Sequence, residues 1–185
     1  MKIWIIGGPG SGKSFLGRQL GAELSLPHTE LDSIYWRPKW TIKDTALFAK
    51  DVHSISVTPY WIIDRNSTAA EPILQETADI LIWLRPSFLR SYSRVLLRTY
   101  HRVATQEPIC NGNHETILKA LGPNGMPYYS ARYHRRNQKR LSSFWKKFQR
   151  PKIKLSNTKT YLPDVKAFLG DDYPPPPLTP ERHEA

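Results

Sequence analysis

The chain has 185 residues, of which 39% are hydrophobic, so it is long enough for one complete core and short for two domains. Lys and Arg number 27 against 16 Asp and Glu, and the net charge of +11 favours partners that carry phosphate, whether nucleotides or nucleic acids. No apolar run approaches the roughly 20 residues that span a bilayer, which argues against a membrane protein.

The cysteine content and the N-terminal residues bear on the compartment. Cys110 is the single cysteine and cannot form an intrachain disulfide, which fits a reducing environment, where it is expected to pack as a small hydrophobe. The first apolar run is short and breaks at residues 7–9, unlike a signal peptide. We expect a cytoplasmic protein.

Residues 7–14 read Gly-Gly-Pro-Gly-Ser-Gly-Lys-Ser and fill the pattern G-x-x-x-x-G-K-[ST] of a phosphate-binding P-loop. An apolar run at residues 3–6 precedes the motif, and helical spacing of apolar residues follows it, so strand, loop and helix stand in the required order. Glycines let backbone N–H groups approach a polyphosphate, and the helix N-terminus favours anions. Lys13 would reach the β- and γ-phosphates of ATP, and the Ser14 hydroxyl would bind Mg²⁺. The predicted nucleotide-binding residues are Gly8, Pro9, Gly10, Ser11, Gly12, Lys13, Ser14 and Phe15.

Two acidic residues stand at the ends of predicted strands. Residues 28–32 predict a short strand that ends at Asp32, placed as a ligand of substrate or of Mg²⁺-bound water, or alternatively as a helix N-cap. Residues 41–57 predict a helix with Thr41 as its cap. The next run, residues 61–64, resembles a Walker B strand, whose carboxylate, here Asp64, holds the Mg²⁺ shell; a turn-capping acid is the alternative.

After a further strand at residues 78–84, a predicted helix from residue 87 to about 103 carries four arginines at spacings of four. Like charges so spaced repel unless an anion or carboxylates intervene, and a kinase can use them on the transferring phosphoryl group. Arg90 is expected on a solvated face. Of Arg94, Arg98 and Arg102, at least one is expected to meet phosphate.

The remaining residues predict a lid, a long basic helix and a tail. Residues 99–127, rich in Asn, Gly and Pro beyond residue 105, are expected to form a mobile lid that excludes water. Residues 127–148 predict one long helix, 152–156 the last strand and 162–169 a closing helix. Residues 171–185 form a Pro-rich segment expected to be disordered. Five strands alternating with helices predict a three-layer α/β fold with a doubly wound parallel sheet in residues 1–170.

Several segments together resemble the adenylate-kinase-like proteins known as DNA topology modulation proteins. They are residues 3–14, 31–36, 61–64, 94–98 and 111–115, in that order along the chain. The resemblance covers most of residues 1–170. It implies the P-loop NTPase fold of nucleoside monophosphate kinases, with ATP at residues 8–14, the acceptor near Asp32 and Asp64, and lid arginines at Arg94 and Arg98.

The chain departs from that family in three places. Arg65 stands where the family continues from the acid into Gly-Asn, residues 67–70 offer no arginine for an acceptor's α-phosphate, and His114 replaces a basic side chain. ATP binding is still expected from the P-loop, whereas adenylate kinase activity does not follow from these residues.

These patterns leave three functional hypotheses. The first is a kinase that transfers the γ-phosphoryl group of Mg·ATP to a nucleotide, nucleoside or other small hydroxylated acceptor, with Lys13, Asp32, Asp64, Arg94 and Arg98 at the reaction and Ser14 and Asp64 at the metal. The second is an ATP-switched regulator associated with nucleic acid, suggested by the basic helix at residues 132–147 and its aromatic residues. The third is an ATP-binding protein that has lost catalysis.

Overall fold

The computed structural model describes residues 1–65, 67–123 and 125–170. The strands are β1 (Lys2–Gly7), β2 (His28–Glu30), β3 (Trp36–Arg37), β4 (Thr41–Ile42), β5 (Trp61–Asp64), β6 (Ile80–Leu84) and β7 (Lys152–Leu155). The helices are α1 (Lys13–Leu24), α2 (Leu31–Tyr35), α3 (Thr45–Ser56), α4 (Glu71–Thr77), α5 (Phe88–Thr105), α6 (Ile117–Leu121), α7 (Met126–Arg132), α8 (His134–Lys147) and α9 (Tyr161–Leu169). A single 3₁₀ turn, Pro38–Trp40, joins β3 to β4.

The predicted five-stranded parallel sheet is confirmed. Its order is β2-β5-β1-β6-β7, and every neighbouring pair is parallel. Strand β1 is central: Ile3 pairs with Ile62 of β5 on one side and with Ile80 of β6 on the other. The P-loop therefore leaves the middle of the carboxyl edge, where open α/β sheets bind their ligands.

The sheet separates two hydrophobic cores, because alternate residues of each strand point to opposite faces. Ile3 and Ile5 pack with Leu16 and Leu20 of α1, and α9 completes this core. Trp4 and Ile6 face the other way, into a core to which α3, α4 and α8 contribute. The face on which a strand-end residue lies thus decides which helix it meets.

Strand β2 is shorter than predicted. It ends at Glu30, and Asp32 lies in the first turn of α2. Leu31 is buried in the core with α3, and the Ser33 hydroxyl donates to the Glu30 carbonyl at 2.7 Å, so the chain turns into a helix at once. Asp32 is consequently carried by a short helix beyond the strand and not by the strand itself.

The helix predicted for residues 41–57 begins later, and the expectation that Thr41 caps it was wrong. Thr41 pairs with Arg37 in the β3–β4 hairpin, and α3 starts at Thr45. Asp44 is the cap: its Oδ1 accepts hydrogen bonds from the N–H groups of Ala46 and Leu47 at 2.9 and 3.0 Å.

The long helix predicted for residues 127–148 is two helices. Tyr133, with φ −106° and ψ 10°, separates α7 from α8. The break lets α7 pack on α5 while α8 buries Leu141 and Phe144 against the sheet. A straight helix would not serve both contacts.

The segment predicted as a lid is only partly a loop. Helix α5 continues to Thr105, and Gln106 ends it in the left-handed conformation with φ 51°. Helix α6 occupies a further part of the segment. The predicted tail, residues 171–185, lies outside the described residues. Among the helices that the structure describes, none combines the length and the apolar character needed to cross a bilayer.

Candidate active site

The P-loop is shaped by two glycines with positive φ and by its contact with α5. Gly10 has φ 70°, and a Cβ there would lie 2.1 Å from the Ser91 carbonyl oxygen, so only glycine allows this approach. Gly12 has φ 97° and immediately precedes α1. The N–H groups of the first turn, including those of Ser14 and Phe15, would therefore face an anion bound at the helix N-terminus. The Phe15 side chain itself is 61% exposed.

Lys13 lies in a charged environment built by the predicted site residues. Its Nζ donates to the Gly8 carbonyl at 3.1 Å, within the loop that would hold the phosphates. Burial lowers the pKa of the Lys13 ammonium, and the carboxylates of Asp64 and Asp32 oppose that shift. The guanidiniums of Arg98 and Arg65 add to the lowering. Four side chains from three different segments thus share one electrostatic site with Lys13.

Asp64 ends β5 with its side chain buried on the α1 face of the sheet. Its Oδ2 lies 3.0 Å from Nε2 of His28, and both side chains are buried, at 4% and 9% exposure. Asp64 is in register with Glu30 of β2. His28 and Glu30 were not predicted as site residues; the signal was their i, i+2 spacing on a strand, which places both on one face.

Asp32 forms an ion pair with Arg65. The Arg65 guanidinium donates from Nη1 to Asp32 Oδ1, and its centre lies 4.0 Å above the Tyr35 ring. The Arg65 carbonyl accepts a hydrogen bond from Trp4 Nε1 at 3.1 Å. Arg65 is therefore held by a carboxylate and an aromatic ring.

The four arginines of α5 divide between two regions. Arg94 lies beside the P-loop, since a Cβ on Gly12 would be 3.7 Å from its Nη1. Arg90 donates to Thr158 Oγ1, between β7 and α9, at 3.3 Å. Arg98 and Arg102 line an open cleft of about 910 Å³. Desolvation lowers the pKa of Arg98, and the neighbouring charge of Arg102 adds to that effect. Other residues along this cleft are Ser14, His28, Glu30, Asp32, Trp36 and Trp40.

The Asn-Gly-Asn segment of the predicted lid is docked on the segment around β3. Asn113 is buried; its Nδ2 donates to the carbonyls of Arg37 and Cys110, and its Oδ1 accepts from the Trp40 N–H at 2.6 Å. Asn111 Nδ2 donates to the Ser33 carbonyl at 2.7 Å. These bonds fix the segment whose residues Pro108, Ile109 and Cys110 line the cleft. Cys110, which precedes Asn111, is half-buried, and burial raises the pKa of its thiol.

The basic helix α8 carries aromatic residues that pack in the core and charged residues that lie at the surface. Phe144 is buried and its ring lies 5.8 Å from Trp4, as expected for a core residue. Lys147 pairs with Glu71 at 3.1 Å. A second cleft of about 1200 Å³ lies between α8, the lid and the hairpin. Its lining includes Lys119, Tyr129, Tyr133, Arg136 and Arg140.

Comparisons with known proteins identify the fold. No family model matches the chain, and no curated protein matches its sequence. A shikimate kinase from Bacteroides thetaiotaomicron superposes with a TM-score of 0.59 at 13% identity, covering 90% of this chain and 97% of that one. A shikimate kinase from Acinetobacter baumannii, solved in complex with shikimate, gives 0.56 at 14% identity and covers 91% of each chain. The chain thus has the three-layer α/β fold of P-loop kinases of the nucleoside monophosphate kinase type.

Proposed function

We propose that this chain is a P-loop phosphotransferase that moves the γ-phosphoryl group of Mg·ATP to a small acceptor, which is a nucleotide, a nucleoside or another hydroxylated molecule. The observation that carries the proposal is that Ser14 of the P-loop, Asp32 and Arg98 line one cleft. The charges of Asp64, Asp32 and Arg98 also act on the pKa of Lys13. A desolvated lysine, two carboxylates and an arginine are the parts that phosphoryl transfer requires.

Each residue has a role that follows from its position. Lys13, in the P-loop, neutralises the β- and γ-phosphates. Ser14, the second residue of α1, would supply a hydroxyl to Mg²⁺, and Asp64 would hold water of the magnesium shell. The donor set of hydroxyl and carboxylate oxygens suits this hard cation, which offsets the charge of the transferring group.

The acceptor belongs in the cleft that Asp32, Arg98 and Arg102 line. Its oxygen attacks the γ-phosphorus while the bond to the β-phosphate oxygen breaks, and ADP departs with the bonding electrons. One Asp32 oxygen is paired with Arg65, which leaves the second to orient an attacking hydroxyl and to accept its proton. Arg94 and Arg98 stabilise the charge that develops on the phosphoryl oxygens. The bound shikimate of one compared structure supports a small-molecule acceptor.

The test is a γ-phosphate transfer assay with Mg·ATP against a panel of nucleosides, nucleoside monophosphates and small hydroxylated acceptors. Lys13→Ala is the blank, and Lys50→Ala, at an exposed position on α3, is the matched control. We expect turnover on at least one acceptor in the wild type and the control. Lys13→Ala should lose turnover and the thermal stabilisation that ATP gives. Unchanged ATP affinity in a folded Lys13→Ala protein would contradict the P-loop assignment.

A second candidate is a protein that binds ATP but does not transfer its phosphoryl group. One observation favours it: the Arg65 guanidinium is bonded to the Asp32 carboxylate in the proposed acceptor cleft. The same assay separates the two candidates. ATP binding that depends on Lys13, without transfer to any acceptor, would support the second.

A further inference from the structure

His28, Glu30 and Asp64 form a cluster that the phosphotransfer chemistry does not use as a unit. Glu30 and Asp64 lie opposite each other on neighbouring parallel strands, and His28 precedes Glu30 by two residues. All three side chains therefore lie on one face of the sheet. One ligand atom from each residue lies within 4.8 Å of those of the other two. Within residues 1–65, 67–123 and 125–170, no other group of three such residues is so arranged.

The cluster is held in place by its surroundings. His28 and Asp64 are both more than nine-tenths buried, with Nε2 and Oδ2 3.0 Å apart. The imidazole lies over Gly17 of α1, where a Cβ would come within 2.3 Å of Nε2. Helix α1 thus leaves a gap that the imidazole fills. Glu30, the third member of the cluster, lines the cleft.

We propose that these three residues bind one divalent transition-metal cation of the Zn²⁺ class, with a fourth coordination position open to the cleft. Three protein ligands, including an imidazole nitrogen and carboxylates, with one open position, are the donor set of catalytic zinc sites. An imidazole nitrogen distinguishes the site from an all-oxygen magnesium site. A neutral imidazole and two carboxylates also balance the charge of a divalent cation.

The proposal goes beyond the proposed function, because binding requires neither ATP nor an acceptor. Asp64 is also the residue that we place at the magnesium shell, so the two cations would share this carboxylate. Metal bound by this cluster is therefore expected to alter the Mg²⁺ dependence of any transfer reaction, whereas binding itself is measurable without transfer.

Arg18 competes for the same site. It forms an ion pair with Glu30 through Nη1, and its own side chain is 62% exposed. An exposed ion pair of this kind is worth little, so a cation can displace it at small cost. Removing the arginine would free Glu30 and increase the metal affinity. If the ion pair only held Glu30 in place, its loss would leave the metal affinity unchanged or lower it.

The experiment is a titration of the nucleotide-free full chain with Co²⁺, followed by visible absorption and then by competition with Zn²⁺. We expect one saturable site per chain. His28→Gln and Glu30→Gln should each weaken binding by at least about tenfold, since even residues that only orient a metal ligand contribute that much. His53→Gln, on an exposed turn of α3, is the matched histidine control and should bind as the wild type does. Arg18→Ala should bind more tightly.

Two results would overturn the proposal. One is the absence of saturable binding of Co²⁺ or Zn²⁺. The other is binding that persists in folded His28→Gln protein or shows the charge-transfer absorption of a cobalt–thiolate bond, because that assigns the metal elsewhere. Should His28→Gln fail to fold, unchanged or weaker binding by Arg18→Ala would contradict it as well. Because the transfer assay is run with Mg²⁺ alone, these failures leave the proposed function untouched.

Discussion

Gly17 on α1 is required by the residue that packs against it. Alanine is the better helix former by up to about 1 kcal/mol, so an unhindered Gly17→Ala substitution would stabilise the protein. Here the Cβ would lie 2.3 Å from His28 Nε2, and the imidazole would have to leave Asp64. Overpacking of this kind costs about 1–3 kcal/mol. We expect Gly17→Ala to lower the free energy of unfolding, measured by denaturant titration.

A double-mutant cycle isolates the contact. In a His28→Ala background the obstructing ring is gone, so Gly17→Ala should be neutral or stabilising by up to about 1 kcal/mol. A loss of stability that is the same in both backgrounds would show that Gly17 is needed for another reason.

Tyr161, which begins α9, is expected to make the stability of the fold depend on pH. Burial raises the pKa of its phenol from 10.0 to about 12, and its hydroxyl has no hydrogen-bond partner among the described residues. The folded chain therefore keeps the proton while the unfolded chain releases it above pH 10. This contribution to stability is fully present below pH 10 and falls as the pH rises toward 12, by at most about 1.4 kcal/mol per pH unit. Tyr161→Phe should flatten that decline in thermal unfolding measured from pH 9 to 11.

The matched control is Tyr100→Phe, because Tyr100 is 76% exposed and is not desolvated on folding as Tyr161 is. Below pH 9 we expect Tyr161→Phe to be neutral or stabilising, since removal of an unpaired buried hydroxyl ends a desolvation cost. Equal pH slopes for the wild type and Tyr161→Phe would contradict the buried phenol as the cause.

Among the elements, the five strands of the parallel sheet were predicted from the sequence, whereas the β3–β4 hairpin and the connections were not. Each sheet strand with a bulky apolar run is bounded by Gly, Pro or an acid, and such runs are local signals. Strand β2 has only three residues, so its end was predicted two residues late. The break at Tyr133 arises because α7 and α8 pack on different partners, and no turn residue marks it.

Most of the side-chain contacts that we did not predict in the site join residues that are far apart in the sequence. His28 meets Asp64 across 36 residues, and Asn111 meets the Ser33 carbonyl across 78. The P-loop residues were predictable because one continuous segment contains the whole motif. The pairing of Asp32 with Arg65 was not, because it depends on where α2 turns the chain after β2.

The contact between residues 106–116 and the β3 segment depends on Asn113. Its amide makes three hydrogen bonds, to Arg37, Cys110 and Trp40, and its removal would leave the buried groups unpaired. We expect Asn113→Ala to weaken this docking by about 1–3 kcal/mol. Hydrogen exchange of the Trp40 amide and of residues 106–116 should then accelerate, while amides of β1 stay protected.

His114→Ala is the control for that prediction. His114 contacts the hairpin through its main-chain carbonyl, which accepts from Trp40 Nε1 at 3.0 Å, so loss of the side chain leaves this bond in place. Exchange at Trp40 that is as fast in His114→Ala as in Asn113→Ala would show that the asparagine amide is not what holds residues 106–116 in place.

For the whole molecule, the net charge of +11 is spread over more than the candidate active site. Arg135, Arg136 and Lys139 are exposed on α8. The α8 aromatics available to stack on bases are limited, because Phe144 is buried and Trp145 packs on Trp83 at 5.8 Å. Charge without stacking or base contacts gives binding that is non-specific and sensitive to salt.

We therefore expect duplex DNA to bind weakly and without regard to ATP. If the three exposed cations of α8 contact phosphates, affinity should fall by about 40-fold between roughly 50 and 200 mM salt, from a slope of about −0.9 per phosphate contact. Replacing Arg135, Arg136 and Lys139 together with alanine should abolish that slope and leave ATP binding unchanged. Fluorescence anisotropy of labelled duplex, with and without Mg·ATP, measures both effects. A change in duplex affinity on adding ATP, lost in Lys13→Ala, would couple the P-loop to nucleic acid and favour an ATP-switched regulator over the kinase.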